Sequence, residues 1–444
     1  MLSLVWFQRD LRVQDHPGLV WAAGQGAVLP VYVVEPDLWA QPEAAARHHA
    51  FLEECLTGLR ADLARAGQPL VLRAGDAVEV LSRLHGKHGF SQLVTLDAPS
   101  TAWSRARDRR VADWARSRGL AWAVLPQPIH GAPLPAPALP PVTEGTGALP
   151  GLRALGLTED RCPFRQPGGR AAGEQTLEAF LSARAQGYAR GRATLTGAER
   201  TGSRLSAYLA WGVLSVREVL DAARARRTED NAQGLRAFAA QLARRTVAAL
   251  PDPGVPADVD PARLAAWQGG ETGLPFVDAA MRALAATGWL NARTRGLVAS
   301  VGCHHLGLDW RVVGARLARL STDFDPALHG AAMRAVAGTD TAPRVPDPVA
   351  VGRQQALDGA FIRRWVPELA PVPEAHLHTP WCWPGARGLR YPEPIVDPAS
   401  AARAARAAIR ARQTSPRAPR PVLVEPLPMR AQGRQMALDL RAPG

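Results

Sequence analysis

Lysine is almost missing from this chain of 444 residues: Lys87 is the only one, although Lys plus Arg total 53 against 40 Asp plus Glu. The formal net charge of +13 therefore rests on arginine, amid abundant Ala, Gly and Pro, a usage typical of GC-rich coding. Arginine stays protonated in nearly any setting, so this charge supports a nucleic-acid partner only weakly. Cysteine is scarce too. Cys55, Cys162, Cys303 and Cys382 are scattered without a C-x-x-C pair, which argues against a disulfide framework and gives no zinc-ligand spacing. No metal is expected. Nor is there an uninterrupted apolar run of the ~18 residues a membrane-spanning helix needs. The start, "MLSLVWFQRDLRVQD", becomes charged too early for a secretion signal. A cytoplasmic protein with no membrane partner is expected, and a monomer.

With 47% apolar residues, the chain exceeds what one hydrophobic core usually supports, so two domains are expected. Residues 1–125 alternate β-rich runs ("SLVWFQ", "AVLPVYVVE", "PLVLRAG", "SQLVTLD", "AWAVLP") with helical stretches such as 44–66 and 101–118. That alternation predicts a doubly wound parallel sheet covered by helices, a Rossmann-like α/β domain. Pro and Gly dominate from 126 to 151, and 126–173 is assigned as an interdomain linker. Beyond about 174, apolar residues recur at i, i+3, i+4, as in "LSAYLAWGVLSVREVLDAAR", which predicts an all-helical domain over 174–412. Its last helix is placed at 399–412, and the Pro- and Arg-rich tail 413–444 is expected to be disordered. There is no internal repeat.

Four blocks narrow the reading: "VWFQRDLRVQDHPGL" at the start, "GSRLSAYLAWGVLS" at 202–215, "WQGGETGLPFVDAAMRALAATGWLNARTR" at 267–295 and "FIRRWVPEL" at 361–369. Together, and in this order, they resemble the cryptochrome/photolyase family over roughly nine-tenths of the chain. The resemblance implies an α/β antenna-type domain, a helical domain holding FAD, and light-driven electron transfer. Some members of that family repair pyrimidine dimers in DNA; others are blue-light sensors.

On its own, "TGSRLS" would serve as a helix cap. In the family's pattern Ser203, Arg204, Leu205 and Ser206 match the FAD diphosphate site, with Tyr188 and Arg192 of "YARGR" beside it. Trp289, Arg293 and Arg295 lie in one stretch, and two arginines two apart face different sides of a helix. By resemblance Arg295 pairs with Asp323 beside the flavin ring, and Asp325 bonds the ring's polar edge. A surface ion pair is the plainer alternative. His329 occupies the position facing flavin N5, where an imidazolium could deliver a proton, so a pH dependence over roughly pH 5 to 8 is expected.

Elsewhere the chain departs from the pattern. The family's tryptophan relay matches Ala257, Trp310 and Met333, and methionine is far harder to oxidise than indole, so only Trp310 could carry residual electron transfer. In the lesion pocket Gln241 and Arg244 replace a carboxylate and a tryptophan, while Ala335 and Ala292 replace a second tryptophan and an asparagine. Arg245 matches a phosphate-contacting arginine, so Gln241, Arg244, Arg245 and Arg293 are the expected DNA contacts. Asp108 is kept in the antenna loop, but Trp103 and Ser104 stand where folate-binding relatives have Asn and Glu, so no antenna pigment is assigned. The expected function is dimer-photolyase-like repair, weak or altered. The alternatives are a non-repair blue-light sensor and a flavin-free DNA-binding relic.

Overall fold

The protein's structure, a computed structural model, describes residues 1–245, 254–339, 342–356 and 358–414. The tail from 415 onward and the end of the "FAAQLARRTVAAL" stretch lie outside the described residues. Strands β1 (Leu2–Phe7), β2 (Ala27–Val34), β3 (Val71–Ala74), β4 (Gln92–Leu96) and β5 (Ala121–Leu125) form one parallel sheet in the order β3-β2-β1-β4-β5. In register, Leu4 of β1 stands opposite Leu29 on one side and Leu93 on the other. Consecutive residues of β1, not alternate ones, are buried, because helices cover both faces of the sheet.

The covering helices include α1 (Pro17–Gln25), α2 (Ala46–Arg65), α3 (Ala77–His88) and α4 (Ala102–Ser117). Their ends are written locally. His16 Nδ1 accepts the Leu19 N–H, while its Nε2–H donates to Asp10 at 3.0 Å. Asp76 caps α3, which stops at left-handed Gly89, and Thr101 and Ser104 cap α4 reciprocally. The winding reverses between β1 and β4, which opens a crevice at the carboxyl ends of the strands.

The linker clings to this domain. The Leu139 N–H donates to the Ala66 carbonyl and the Leu72 N–H to the Thr146 carbonyl, both at 2.7 Å. Glu144 pairs with Arg73, Lys87 and His88. Helices resume at Arg170, and the last described one is Pro398–Thr414. Those that build the site are α5 (Ser206–Ala210), α6 (Ala232–Leu242), α7 (Pro275–Thr287), α8 (Ala292–Ser300), α9 (Trp310–Leu320) and α10 (Pro326–Ala337).

One core, including Phe276, Leu284, Leu297, Val313 and Phe361, belongs to the helical half. A second joins the two halves: Phe7, Leu11 and Phe51 pack with Tyr208, Trp211 and Phe238. Burying one such large apolar side chain is worth ~1.5–3 kcal/mol, so this shared core holds the halves in a fixed relation. Arg47 of α2 strengthens the joint. It pairs with Asp160 and donates to the carbonyls of Leu284, Ala285 and Leu320.

Candidate functional site

The site is organised by the turn 321–325 between α9 and α10. Its Thr322 N–H donates to the Gly288 carbonyl at 3.0 Å. Gly288 has φ +70, and a Cβ there would stand 2.1 Å from Thr322 Oγ1, so only glycine allows this approach. The contact brings the turn against α8, where Arg295 Nη2 donates to Asp323 Oδ1 at 2.9 Å and Oδ2 at 3.2 Å. The pair is largely shielded, with side chains 21% and 9% exposed, so it is not a surface ion pair. Arg293, two residues earlier, is exposed and donates to the Ala193 carbonyl at 3.2 Å.

Asp325 is engaged by groups of the protein itself. Its Oδ1 caps α10 by accepting the Ala327 and Leu328 N–H groups, each at 3.1 Å. Its Oδ2 accepts from Arg245 Nη2 at 2.8 Å. Through these bonds Asp325 braces the turn. Arg245, expected at DNA phosphates, points inward instead, because a buried carboxylate requires a paired cation. Gln241 and Arg244 remain exposed on the same stretch.

The segment Gly202–Leu205 enters α5 from the other side. The Leu205 N–H lies 3.5 Å from Ser203 Oγ, and Leu205 itself is buried. Arg204 adopts φ +60, uncommon for a residue with a side chain, and lays its guanidinium 4.0 Å from the centre of the Trp289 ring. Trp289 sits in the connector before α8, not in the helix itself. Burial pushes the Arg204 pKa down while Asp323 opposes that shift. The Tyr188 ring packs edge-on to Phe180 and Phe238 at 5.6 Å. Arg192 is exposed and adjoins Ala193, whose carbonyl meets Arg293.

Among the described residues, the buried polar atoms of this cluster without a hydrogen-bond partner include Ser206 Oγ and Arg295 Nε, with the hydroxyls of Thr294 and Thr322. Leaving such a group unmade costs ~1–3 kcal/mol, so the cluster is shaped for a polar ligand. A hydroxyl and a desolvated guanidinium suit a diphosphate, and the Arg295 N–H suits a ring acceptor. The residues present therefore fit FAD.

His329 is half-buried, donates Nε2–H to the Gly314 carbonyl at 2.9 Å, and stands edge-on to Phe324 at 5.4 Å. Burial, aided by the charge of Arg295, pushes its pKa down to about 4 against the pull of the Gly314 carbonyl and Asp323. The ring is neutral above that pH, with Nδ1 as its bare nitrogen. In this setting the ring is expected to act as a neutral group, not as an imidazolium donor, between pH 5 and 8.

The relay positions do lie in one neighbourhood. The Ala257 N–H donates to Asp309 Oδ2 at 3.0 Å, next to Trp310. One turn along α9, a Cβ at Gly314 would lie 3.3 Å from Met333 Cγ. Of these three positions only the middle one carries an indole, and the Arg311 guanidinium lies 5.0 Å from its ring. At the lesion positions Ala292 and Ala335 are exposed and offer no wall.

Comparison with known proteins agrees with this geometry. The profile described as DNA photolyase matches residues 3–128, and that of the FAD binding domain of DNA photolyase matches 227–411. A deoxyribodipyrimidine photo-lyase of Streptomyces griseus is 32% identical, over 90% of this chain and 97% of the relative. A cryptochrome DASH of Natronomonas pharaonis is 30% identical, over 89% and 98%. This chain belongs to the cryptochrome/photolyase family. A bacterial class III photolyase from Agrobacterium tumefaciens superposes with a TM-score of 0.77 at 26% identity, covering 92% of this chain and 98% of that one. FAD is thus the cofactor of the helical domain, and the flavin-free reading falls away.

Four residues that sequence reasoning missed also frame the 321–325 turn. The His48 Nε2–H donates to the Ser321 carbonyl at 2.8 Å, and Trp211 Nε1–H to the Thr322 carbonyl at 3.1 Å. Arg47 holds the end of α9, and Arg9 reaches the Phe324 carbonyl at 2.8 Å. All four come from segments distant in sequence; Arg9 and Trp211 lie in blocks that carry the resemblance, but nothing in those blocks gave either a role. At the strand ends Trp6, Tyr32, Glu35, Trp39 and Arg107 line a cavity of ≈ 90 Å³, well below the ~300–1,000 Å³ of ordinary small-molecule sites. Ser104 is engaged in capping α4, and Asp108 is paired with Arg107. Among the described residues no group of His, Cys, Asp and Glu could hold a metal, and no helix is long and apolar enough to cross a membrane.

Proposed function

We propose that this family member is a light-driven flavoprotein acting on DNA, with deoxyribodipyrimidine photolyase-type repair that is weak or altered in selectivity. FAD, when bound, supplies light-driven single-electron transfer. Arg204 with Ser203 and Ser206 would hold its diphosphate, with Tyr188 and Arg192 alongside. Arg295, oriented by Asp323, would hold the ring, and neutral His329 would offer the bare Nδ1 near N5. The observation that carries the DNA reading is the position of Arg244. It is exposed one residue from Arg245, which is anchored to Asp325 beneath the flavin turn. A phosphate bound by Arg244, with Gln241 exposed three residues earlier, would therefore lie close to the flavin, and Arg293, exposed on α8, would be a further contact.

Specific observations also favour a second reading, a blue-light sensor without repair. Ala292 and Ala335 leave a flipped dimer without the walls that would discriminate it, and Ala257 and Met333 interrupt electron supply. Light-dependent repair of a thymine-dimer oligonucleotide, against dark controls and undamaged DNA, decides between the readings. Repair above the dark rate supports a photolyase. A light-induced change in the flavin spectrum without repair supports the sensor. We further propose a monomer located in the cytoplasm; the antenna pigment is left unassigned.

A further inference from the structure

Arg9 leaves the end of β1 and makes no ion pair among the described residues, although it lines both the strand-end cavity and the interdomain cleft beside it. Its position is fixed from behind. The Leu11 N–H donates to the Trp211 carbonyl at 3.2 Å, and Arg12 Nη1 to the Gly212 carbonyl at 3.1 Å. Gly212 has φ +64, and a Cβ there would stand 2.1 Å from the Arg9 carbonyl oxygen. Residues 9–12 are therefore locked against 210–212. From this lock Arg9 Nη1 donates to the Phe324 carbonyl at 2.8 Å and, less closely, to that of Ala210 at 3.3 Å. Its guanidinium lies 4.8 Å from the centre of the Trp211 ring and 5.7 Å from that of Phe324.

Arg9 is half-buried, and Asp325 and Glu43 act on its charge only through space, so its placement is set by what its Nη1 and its face touch. Nη1 is taken by carbonyls of the segment that follows the Ser203–Ser206 cluster and of the residue between Asp323 and Asp325, and the face by Trp211 and Phe324. We propose that Arg9 is a positioning residue for the flavin site, a latch from the α/β domain that fixes the Asp323–Asp325 turn relative to the Ser203–Ser206 segment. The carboxylate that orients Arg295 and the one that pairs with Arg245 flank the latched carbonyl, so the flavin site is not a property of the helical domain alone. Arg9 touches neither Arg295 nor the unpartnered Ser206 hydroxyl; it acts through the backbone.

This inference rests on FAD occupying the cluster described above, so the test has one arm that needs no flavin. Amide exchange in flavin-stripped full-length protein is followed at Ala327, Leu328 and His329, whose N–H groups depend on Asp325. FAD binding to the same preparations is titrated separately. Arg9→Met, which keeps an apolar stem over Trp211 but no donor, should speed exchange at these amides while leaving β4, β5 and α3 unchanged. It should also weaken FAD binding about tenfold, the scale of losing one charge-assisted hydrogen bond. Arg9→Lys, with one ammonium in place of a planar fork, should fall between Arg9→Met and wild type and serves if Arg9→Met does not fold. Unchanged exchange at 327–329 would overturn the latch. Faster exchange with undiminished FAD affinity would overturn its role in the flavin site. If wild type itself takes up no FAD, the flavin assignment fails, and the exchange arm still decides whether Arg9 holds the turn.

Discussion

Replacing Asp323 by Ala tests the site assignment most directly. Arg295 would lose both carboxylate contacts and keep only its 3.2 Å bond to the Leu290 carbonyl, with Nε still unpartnered. Stranding one member of a buried pair costs ~3–5 kcal/mol. Because Arg295 retains that carbonyl and is 21% exposed, the cost belongs at the lower end, about 3 kcal/mol. If the site cannot relax, that corresponds to roughly a hundredfold weaker FAD binding. Asp323→Asn keeps an acceptor toward Arg295 and removes the charge, so its cost should be nearer ~1 kcal/mol, or about fivefold. The assay is the flavin-to-protein absorbance ratio after gel filtration, with titration of FAD into stripped protein and thermal unfolding of the flavin-free form. Asp323→Ala should emerge with little flavin or insoluble, and Asp323→Asn with most of it. Full flavin and unchanged unfolding in Asp323→Ala would refute the assignment of Arg295 and Asp323 to the ring.

Photoreduction of the wild type should be slow, and Met333→Trp should speed it by placing an indole one turn from Trp310. Overpacking costs of ~1–3 kcal/mol at this buried position are eased by Gly314 opposite, and an unchanged rate in a folded variant would show that electrons take another path. The spectrum of the photoreduced protein should not change between roughly pH 5 and 8, the range in which an ordinary histidine titrates. The His329 pKa is lowered to about 4, so the imidazolium is gained only as pH falls through that value; a transition near neutral pH that His329→Asn removes would contradict this. Arg244→Gln should weaken DNA binding uniformly across sequences and reduce the salt slope by about 1, the signature of one phosphate contact. Arg245→Gln should instead lower stability and flavin retention by leaving Asp325 unpaired. Identical salt slopes and flavin contents in the two variants would show that the inward pair is misassigned.

The parallel sheet was legible because each strand is a short apolar run between helical stretches, and α2 and α4 fall within two residues of their expected limits. Resemblance also brought Arg295 to Asp323, a pair that the structure contains. What it could not supply was competition for partners. Asp325 looks like a ligand-binding carboxylate, and the sequence does not show that it also caps α10 and pairs with Arg245. Arg245 looks like a phosphate contact until a buried acid lies within its reach. His329 was read as a proton donor from its ordinary pKa, which burial and Arg295 displace, and no local pattern reports burial. Arg9, Arg47, His48 and Trp211 bond mostly to backbone carbonyls, and a carbonyl acceptor leaves no trace in residue identity.

The same distinction explains which parts of the site can change without loss of the fold. Arg295, Asp323, Arg245 and Asp325 are charges removed from water, each held by its partner, and replacing one strands another at a cost of several kcal/mol. The turn they share is also hydrogen-bonded to α2, to the segment after α5 and to β1, so damage there reaches both halves of the molecule. Ala292, Ala335, Gln241 and Arg244 are exposed, where substitutions usually alter stability by less than ~0.5 kcal/mol. Met333 is buried but contacts its neighbours through dispersion alone, and exchanges among apolar side chains of matched volume are tolerated there. Lesion recognition and electron relay are therefore separable from the fold, whereas the flavin floor is part of what holds it together. A chain with an intact floor and altered walls is physically coherent. Such a chain would keep FAD, and its output would depend on which surface groups meet the flavin.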